Sequence, residues 1–178
     1  MYLCLLYGIL ARQTASPQRT ATLRALAVFL QDFALLGGVA ALLVPAGFTY
    51  PTHPLLTLHG YVWHLLLIAL SLYIHKQRLA PLPVRAFASA LPIFLCGAAI
   101  AIALNVLLHP FGDCDMFYLS PYHLSSQPVF HTIDGIVGRP IGMLIYLAAV
   151  ILGAFVLHCL YALQTARHTK RSSQAYKS

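Results

Sequence analysis

Residues 87–108 read FASALPIFLCGAAIAIALNVLL, a run without a single charged side chain. As helix it would extend about 33 Å, enough to cross a hydrocarbon core about 30 Å thick. A helix of a soluble domain keeps one polar face for water, and this run has none. Three further runs of the same kind follow on moving outward, at 25–45, 55–74 and 140–163. A shorter one, MYLCLLYGILA at 1–11, covers only about half of the distance. It lacks the basic start and small-residue cleavage site of a signal peptide, and reads as the end of a span that begins upstream of Met1.

The expected fold class is therefore all-α: a polytopic transmembrane helix bundle of four full helices plus one partial N-terminal helix, forming a single domain over 1–163. Composition agrees, with 60% hydrophobic residues, 8% charged and a mean hydropathy of +0.77, values that exclude an ordinary soluble domain.

Eleven Lys and Arg against four acidic residues give a net charge of +7. In a soluble protein that balance would suggest nucleic acid, but here its distribution decides. Arg12, Arg19 and Arg24 precede the first full run; the connection at 46–54 is uncharged; Lys76, Arg78 and Arg85 follow the second run. The loop at 109–139 holds Asp113, Asp115 and Asp134 against Arg139, and Arg167, Lys170, Arg171 and Lys177 follow the last run. All basic residues but Arg139 thus fall on one side, which the positive-inside rule makes cytoplasmic. The charge is topological, nucleic acid is not an expected partner, and membrane lipids are. The expected location is the cell membrane, multi-pass, with the C-terminus cytoplasmic. The tail at 164–178 is polar and basic and is expected to be disordered.

The loop at 109–139 is long for a compact bundle. Its centre, GDCDMFYLSPYHLSSQPVFH, mixes aromatic, proline and polar residues without helical periodicity, as a lid over the outer mouth or an aromatic interfacial belt would.

Ionisable residues inside a span are costly and so are functional candidates. Asp32, in LQDFALLGG, is either such a residue or, if the helix starts near Gln31, an interfacial residue of its first turn. His59 and His64 in LHGYVWHLLL are five positions apart, about 140° around a helix, so they do not share a face and lack the spacing of a paired zinc site. His59 falls near the headgroups beside Tyr61 and Trp63, whereas His64 lies deeper, as a general base, a proton relay or a packing hydrogen bond. Asn105 can bridge helices or orient a substrate carbonyl. Asp32, His59, Asp115 and Tyr118 are the candidate substrate-binding residues; Cys4, His64 and Asn105 are the candidate catalytic ones. The four cysteines are far apart with no C-x-x-C, so no metal site is expected, nor any cofactor.

The succession ALLGGVAALLVPAGFTYP, the His64 helix HLLLIALSLY, Asn105, and DMFYLSPY with SQPVF before a last helix resembles the YwaF-like integral membrane proteins, a family that includes eukaryotic transmembrane protein 164. The resemblance implies a six-helix architecture, of which this chain holds the last four helices and part of the second. It also implies phospholipid acyl transfer through a cysteine and a histidine. His64 matches the family histidine, with Leu65 where a glycine is usual. Cys4 in MYLC stands for the cysteine of a Leu-Pro-Leu-His-Leu-Cys-like motif, with Tyr2 in the histidine's place, or that motif lies upstream of Met1. A Cys4 thiolate would then attack an acyl ester with His64 as base and Asn105 as orienting or oxyanion group. The alternative function is non-catalytic: a lipid or small-molecule binding or transport component, its pocket gated by the loop at 109–139.

Overall fold

The computed structural model describes residues 17–175, so the half-span expected at 1–11, with Cys4 in it, lies outside the described residues. Among the described residues the elements are five helices and three short 3-10 turns: α1 (Pro17–Leu43), a turn at Pro45–Phe48, α2 (Pro54–Lys76), α3 (Val84–Leu108), turns at His109–Phe111 and Met116–Tyr118, α4 (Pro128–Val137) and α5 (Arg139–Ala175). Proline marks the starts. Pro17, Pro54 and Pro128 open their helices, and Pro140 is the second residue of α5. A residue without an N–H costs nothing in a first turn, where that N–H would have no helical partner.

Among the described residues, four helices are long and apolar enough to cross a membrane: Thr20–Leu43, Pro54–Lys76, Val84–Phe111 and Arg139–Arg167. The chain is a multi-pass membrane protein. It has a basic face, formed by the start of α1, the α2–α3 connection and the end of α5, and an opposite loop face, formed by 44–53 and 109–138.

Three boundaries differ from expectation. α1 begins at Pro17, so Asp32 is fifteen residues in, about 22 Å along the helix, and is no first-turn residue. α5 runs past 163 to Ala175, through the segment read as a disordered tail. Once a span has supplied the costly nucleus, Gln, Ala, Arg and Lys extend it easily. The loop at 109–139 ends in α4, whose Pro128 start the aperiodic centre of the loop concealed.

α1 is the hub, packing against α2 on one side and α3 and α5 on the other. Over half of its apolar window (56%) is buried, against 6% for α2, 17% for α3 and 11% for α5, so the other three present their surfaces to lipid. Gly38 brings α1 and α2 together: a Cβ there would lie 2.9 Å from the Ile68 side chain and 3.1 Å from His64 O. On the other side Phe33 stacks on Phe29, Phe87 and Phe94 with ring centres 4.8–5.7 Å apart, at the heart of the apolar core. Nearer the loop face, Leu119 of the loop is 1% exposed and is inserted against Ala98 and Ala101 of α3.

Candidate functional site

A cleft of about 300 Å³ lies between α1, α3 and α5 and ends beneath the loop face. Phe29, Phe33, Leu36, Gly37 and Ala40 of α1 form one wall. Phe94, Gly97 and Ala98 of α3 and Tyr146, Leu147, Ala149 and Val150 of α5 form the others. Gly37 and Gly97 leave room: a Cβ at either would meet nothing within 4 Å. The adjacent glycines of α1 therefore divide their work, Gly38 packing on α2 and Gly37 opening the cleft. Among the described residues the lining brings no Ser, Thr, Cys, His, Asp, Glu, Lys or Arg; Gln127 and Tyr146 supply its polar groups.

Phe117, Leu119, Gln127 and Phe130 roof the cleft, and a buried cation holds the roof down. Arg139 donates through Nε to Ser120 O (2.8 Å) and through Nη2 to Tyr118 O (2.7 Å), while Nη1 pairs with Asp134 Oδ2 at 2.6 Å. Asp134 Oδ2 also accepts the Ser125 N–H at 2.7 Å. Its Oδ1 is buried without a hydrogen bond and lies against Gly142, where a Cβ would be 1.8 Å away. From α3, Asn105 brackets Met116, donating to its carbonyl (3.1 Å) and accepting its N–H (2.7 Å). Asp115 Oδ1 accepts the Ser120 N–H at 2.9 Å. These bonds restrain a strained turn, since Phe117 (φ 56°) and Tyr118 (φ 57°) both occupy the left-handed region that non-glycine residues avoid. Burial pushes the Tyr118 phenol above its ordinary value, with the nearby Asp115 charge adding to the rise and a Gln127 hydrogen bond opposing it.

Toward the basic face lies a second polar site. Asp32 and His158 are 0% and 1% exposed, with His158 Nδ1 2.7 Å from Asp32 Oδ2. The second ring nitrogen, Nε2, is 3.0 Å from Leu82 O in the α2–α3 connection. Gln31 Nε2 donates to Asp32 Oδ1 at 3.0 Å, and Ser71 of α2 donates to Gln31 O. Two helices and a loop thus meet on one carboxylate–imidazole pair, with a third helix tied to the backbone beside it.

The candidate residues do not converge on one site. Asn105 spends its amide on Met116 and holds the roof. Asp115 and Tyr118 belong to the roof, and Asp32 to the second site. His64 lies on the α2 side of α1, with Nδ1 donating to Gly60 O at 2.7 Å and its ring stacked on Phe48 at 4.6 Å. It does not line the cleft, which opens on the other side of α1. His59 is exposed and sits beside Trp63, ring centres 6.3 Å apart. Among the described residues, no group of three His, Cys, Asp or Glu could hold a metal ion, and Cys96, Cys114 and Cys159 are free.

His158 and Arg139 were not singled out from the sequence as site residues. His158 carries the same signal that selected Asp32 and His64, an ionisable group within an apolar span. Arg139 is the lone basic residue amid three aspartates on the loop side, a charge pattern that hints at pairing without naming the partner. No protein-family model, curated protein or solved structure matches the chain significantly.

Proposed function

We propose that this membrane protein binds one hydrocarbon chain of a lipid in the cleft between α1, α3 and α5. The observation that carries the reading is the lining: apolar and aromatic throughout, with Gln127 and Tyr146 as its polar edge beneath a pinned roof. Its volume is at the lower end of small-molecule sites, suiting a single acyl or isoprenoid chain rather than a whole phospholipid. The basic face is cytoplasmic by the positive-inside rule, in the cell membrane, which places the roof outside and the C-terminus inside.

Native mass spectrometry of the protein released from membranes tests this. The wild type is expected to retain one chain-bearing lipid, and Gly97→Leu or Gly37→Leu, whose side chains grow into the cleft, to retain about tenfold less. Gly135→Ala, away from the cleft, should retain it fully. Equal retention in all variants, or none in the wild type, would end the reading.

Acyl transfer, which the resemblance to YwaF-like proteins implies, is the second reading. His64 supports it in one respect: with Nδ1–H directed at Gly60 O, a neutral ring presents Nε2 as its basic nitrogen. Among its described residues the cleft lining offers no nucleophile, and the thiol that the resemblance implies, Cys4, lies outside them. Incubation with a labelled phospholipid decides between the readings. A hydroxylamine-sensitive acyl-protein that disappears in Cys4→Ala supports transfer; binding without covalent label supports a chain-binding component.

A further inference from the structure

We propose that Asp32 and His158 form a proton-binding site, loaded from the basic face through His75 and Tyr161, whose protonation is linked to occupancy of the cleft. The link to the cleft rests on the chain-binding reading; the proton site does not.

The proton count follows from the hydrogen-bond geometry. Leu82 O can only accept, so His158 Nε2 must carry a hydrogen. Between Nδ1 and Asp32 Oδ2, at 2.7 Å, there is room for one proton, residing on nitrogen in an ion pair or on oxygen in a neutral one. In either form the pair has no net charge. Removing that proton leaves a buried anion facing an imidazole lone pair, and adding a second leaves a buried cation with the bond broken. Each is costly within a span, so at rest the pair holds one proton, and it gives that proton up or takes a second only when the helices around it shift to compensate the charge.

A route leads to it. His75, at the basic end of α2 and only partly buried, stacks on Tyr161 of α5 with ring centres 3.9 Å apart. The Tyr161 hydroxyl is buried, and its one partner among the described residues, Ser71, is too poorly placed for a hydrogen bond of full geometry. It faces Ser71, whose own hydroxyl is bonded to Gln31 O beside Asp32. A buried hydroxyl with only this loose match is unfavourable for a merely structural residue. It suits a group that turns between partners.

The titratable groups around the pair come from α1, α2 with the connection after it, and α5, while α3 presents an apolar ring. α1 contributes Asp32 itself; α2 contributes His75, within electrostatic reach of Asp32, with Arg78 just beyond it; α5 contributes Tyr161. From α3, Phe87 faces His158 with ring centres 5.5 Å apart. That ring is also the connection to the cleft. Phe87 stacks on Phe33, which lines the cleft and directly follows Asp32 in α1. The helices that the pair joins, α1 and α5, are two of the three walls of the cleft. A change of charge at the pair moves them relative to one another, and linkage requires that a chain in the cleft alter proton affinity by the factor by which protons alter chain affinity.

The test uses the full chain in lipid nanodiscs, with ¹⁵N-labelled histidine and a fluorescent long-chain alcohol, which does not itself titrate. The ring nitrogens of His158, assigned by the loss of their signals in His158→Gln, are expected to show a protonation change between about pH 4 and 9, with solvent exchange of the shared proton slowed about tenfold in His75→Phe. Probe affinity should change several-fold over the same range and become flat in the Asp32→Asn, His158→Gln double variant, which must still bind the probe to count as folded. No titration of His158 over that range overturns the proton site. Titration with unchanged probe affinity overturns the linkage. If the probe binds at no pH, the chain-binding reading fails and the linkage with it, while the histidine signals still decide the proton site.

Discussion

Arg139 and Asp134 pair at 2.6 Å across the break between α4 and α5, both nearly excluded from solvent, and the guanidinium directs two further donors at two carbonyls of the roof. Breaking one side leaves a buried charge alone. Asp134→Ala is expected to destabilise by about 3–5 kcal/mol, whereas the Asp134→Leu, Arg139→Met double variant should cost distinctly less. Unfolding in mixed micelles, completed as a double-mutant cycle, measures this; additive losses would deny that the two act as a pair.

Gly142 provides a steric test of the same corner. A methyl group there would be 1.8 Å from Asp134 Oδ1, so Gly142→Ala must displace the carboxylate or the helix, at about 1–3 kcal/mol or more. Gly135→Ala, in α4 with nothing within 4 Å of its Cβ position, should be neutral or stabilising by up to about 1 kcal/mol. Similar melting temperatures for the two variants would contradict the packing.

Asn105 separates a structural from a catalytic assignment. Asn105→Leu abandons both the N–H and the carbonyl of Met116, an expected loss of roughly 2–4 kcal/mol, and should free the Met116 amide for hydrogen exchange. Asn105→Asp keeps the acceptor and should preserve most of that protection. A variant with the roof still protected but all acyl transfer lost would assign Asn105 to chemistry instead.

Tyr118 makes the roof sensitive to alkali. Its pKa is raised above the ordinary 10.0, chiefly by burial, so the folded state favours the neutral phenol. That contribution is complete below pH 10 and is lost as pH rises through the higher folded value. Phenolate absorbance at 295 nm and proteolysis of the loop at 112–127 should increase together above pH 10 in the wild type. Tyr118→Phe should remove the step in cleavage; an unchanged step would place the sensitivity elsewhere.

Much of the fold was legible because lipid forces every backbone group to be satisfied within its own helix, so each span declares itself locally as an uninterrupted apolar run. The one-sided distribution of basic residues grouped the connections, whereas the proline starts were recognised only in the structure. The site was less legible. Asp32 and His64 were visible as ionisable residues in apolar runs, but the carboxylate found its partner 126 positions away on α5. His64 turned to its own helix instead. The sequence by itself determined four spans, a one-sided distribution of basic residues and an aromatic loop over one end. Only the tertiary structure decided that Gly37 opens a cleft while Gly38 closes a contact, and that Arg139 clamps the roof while Asn105 serves it. Those assignments depend on how each helix is rotated against its neighbours, which is set by packing among side chains far apart in the chain and has no local signature.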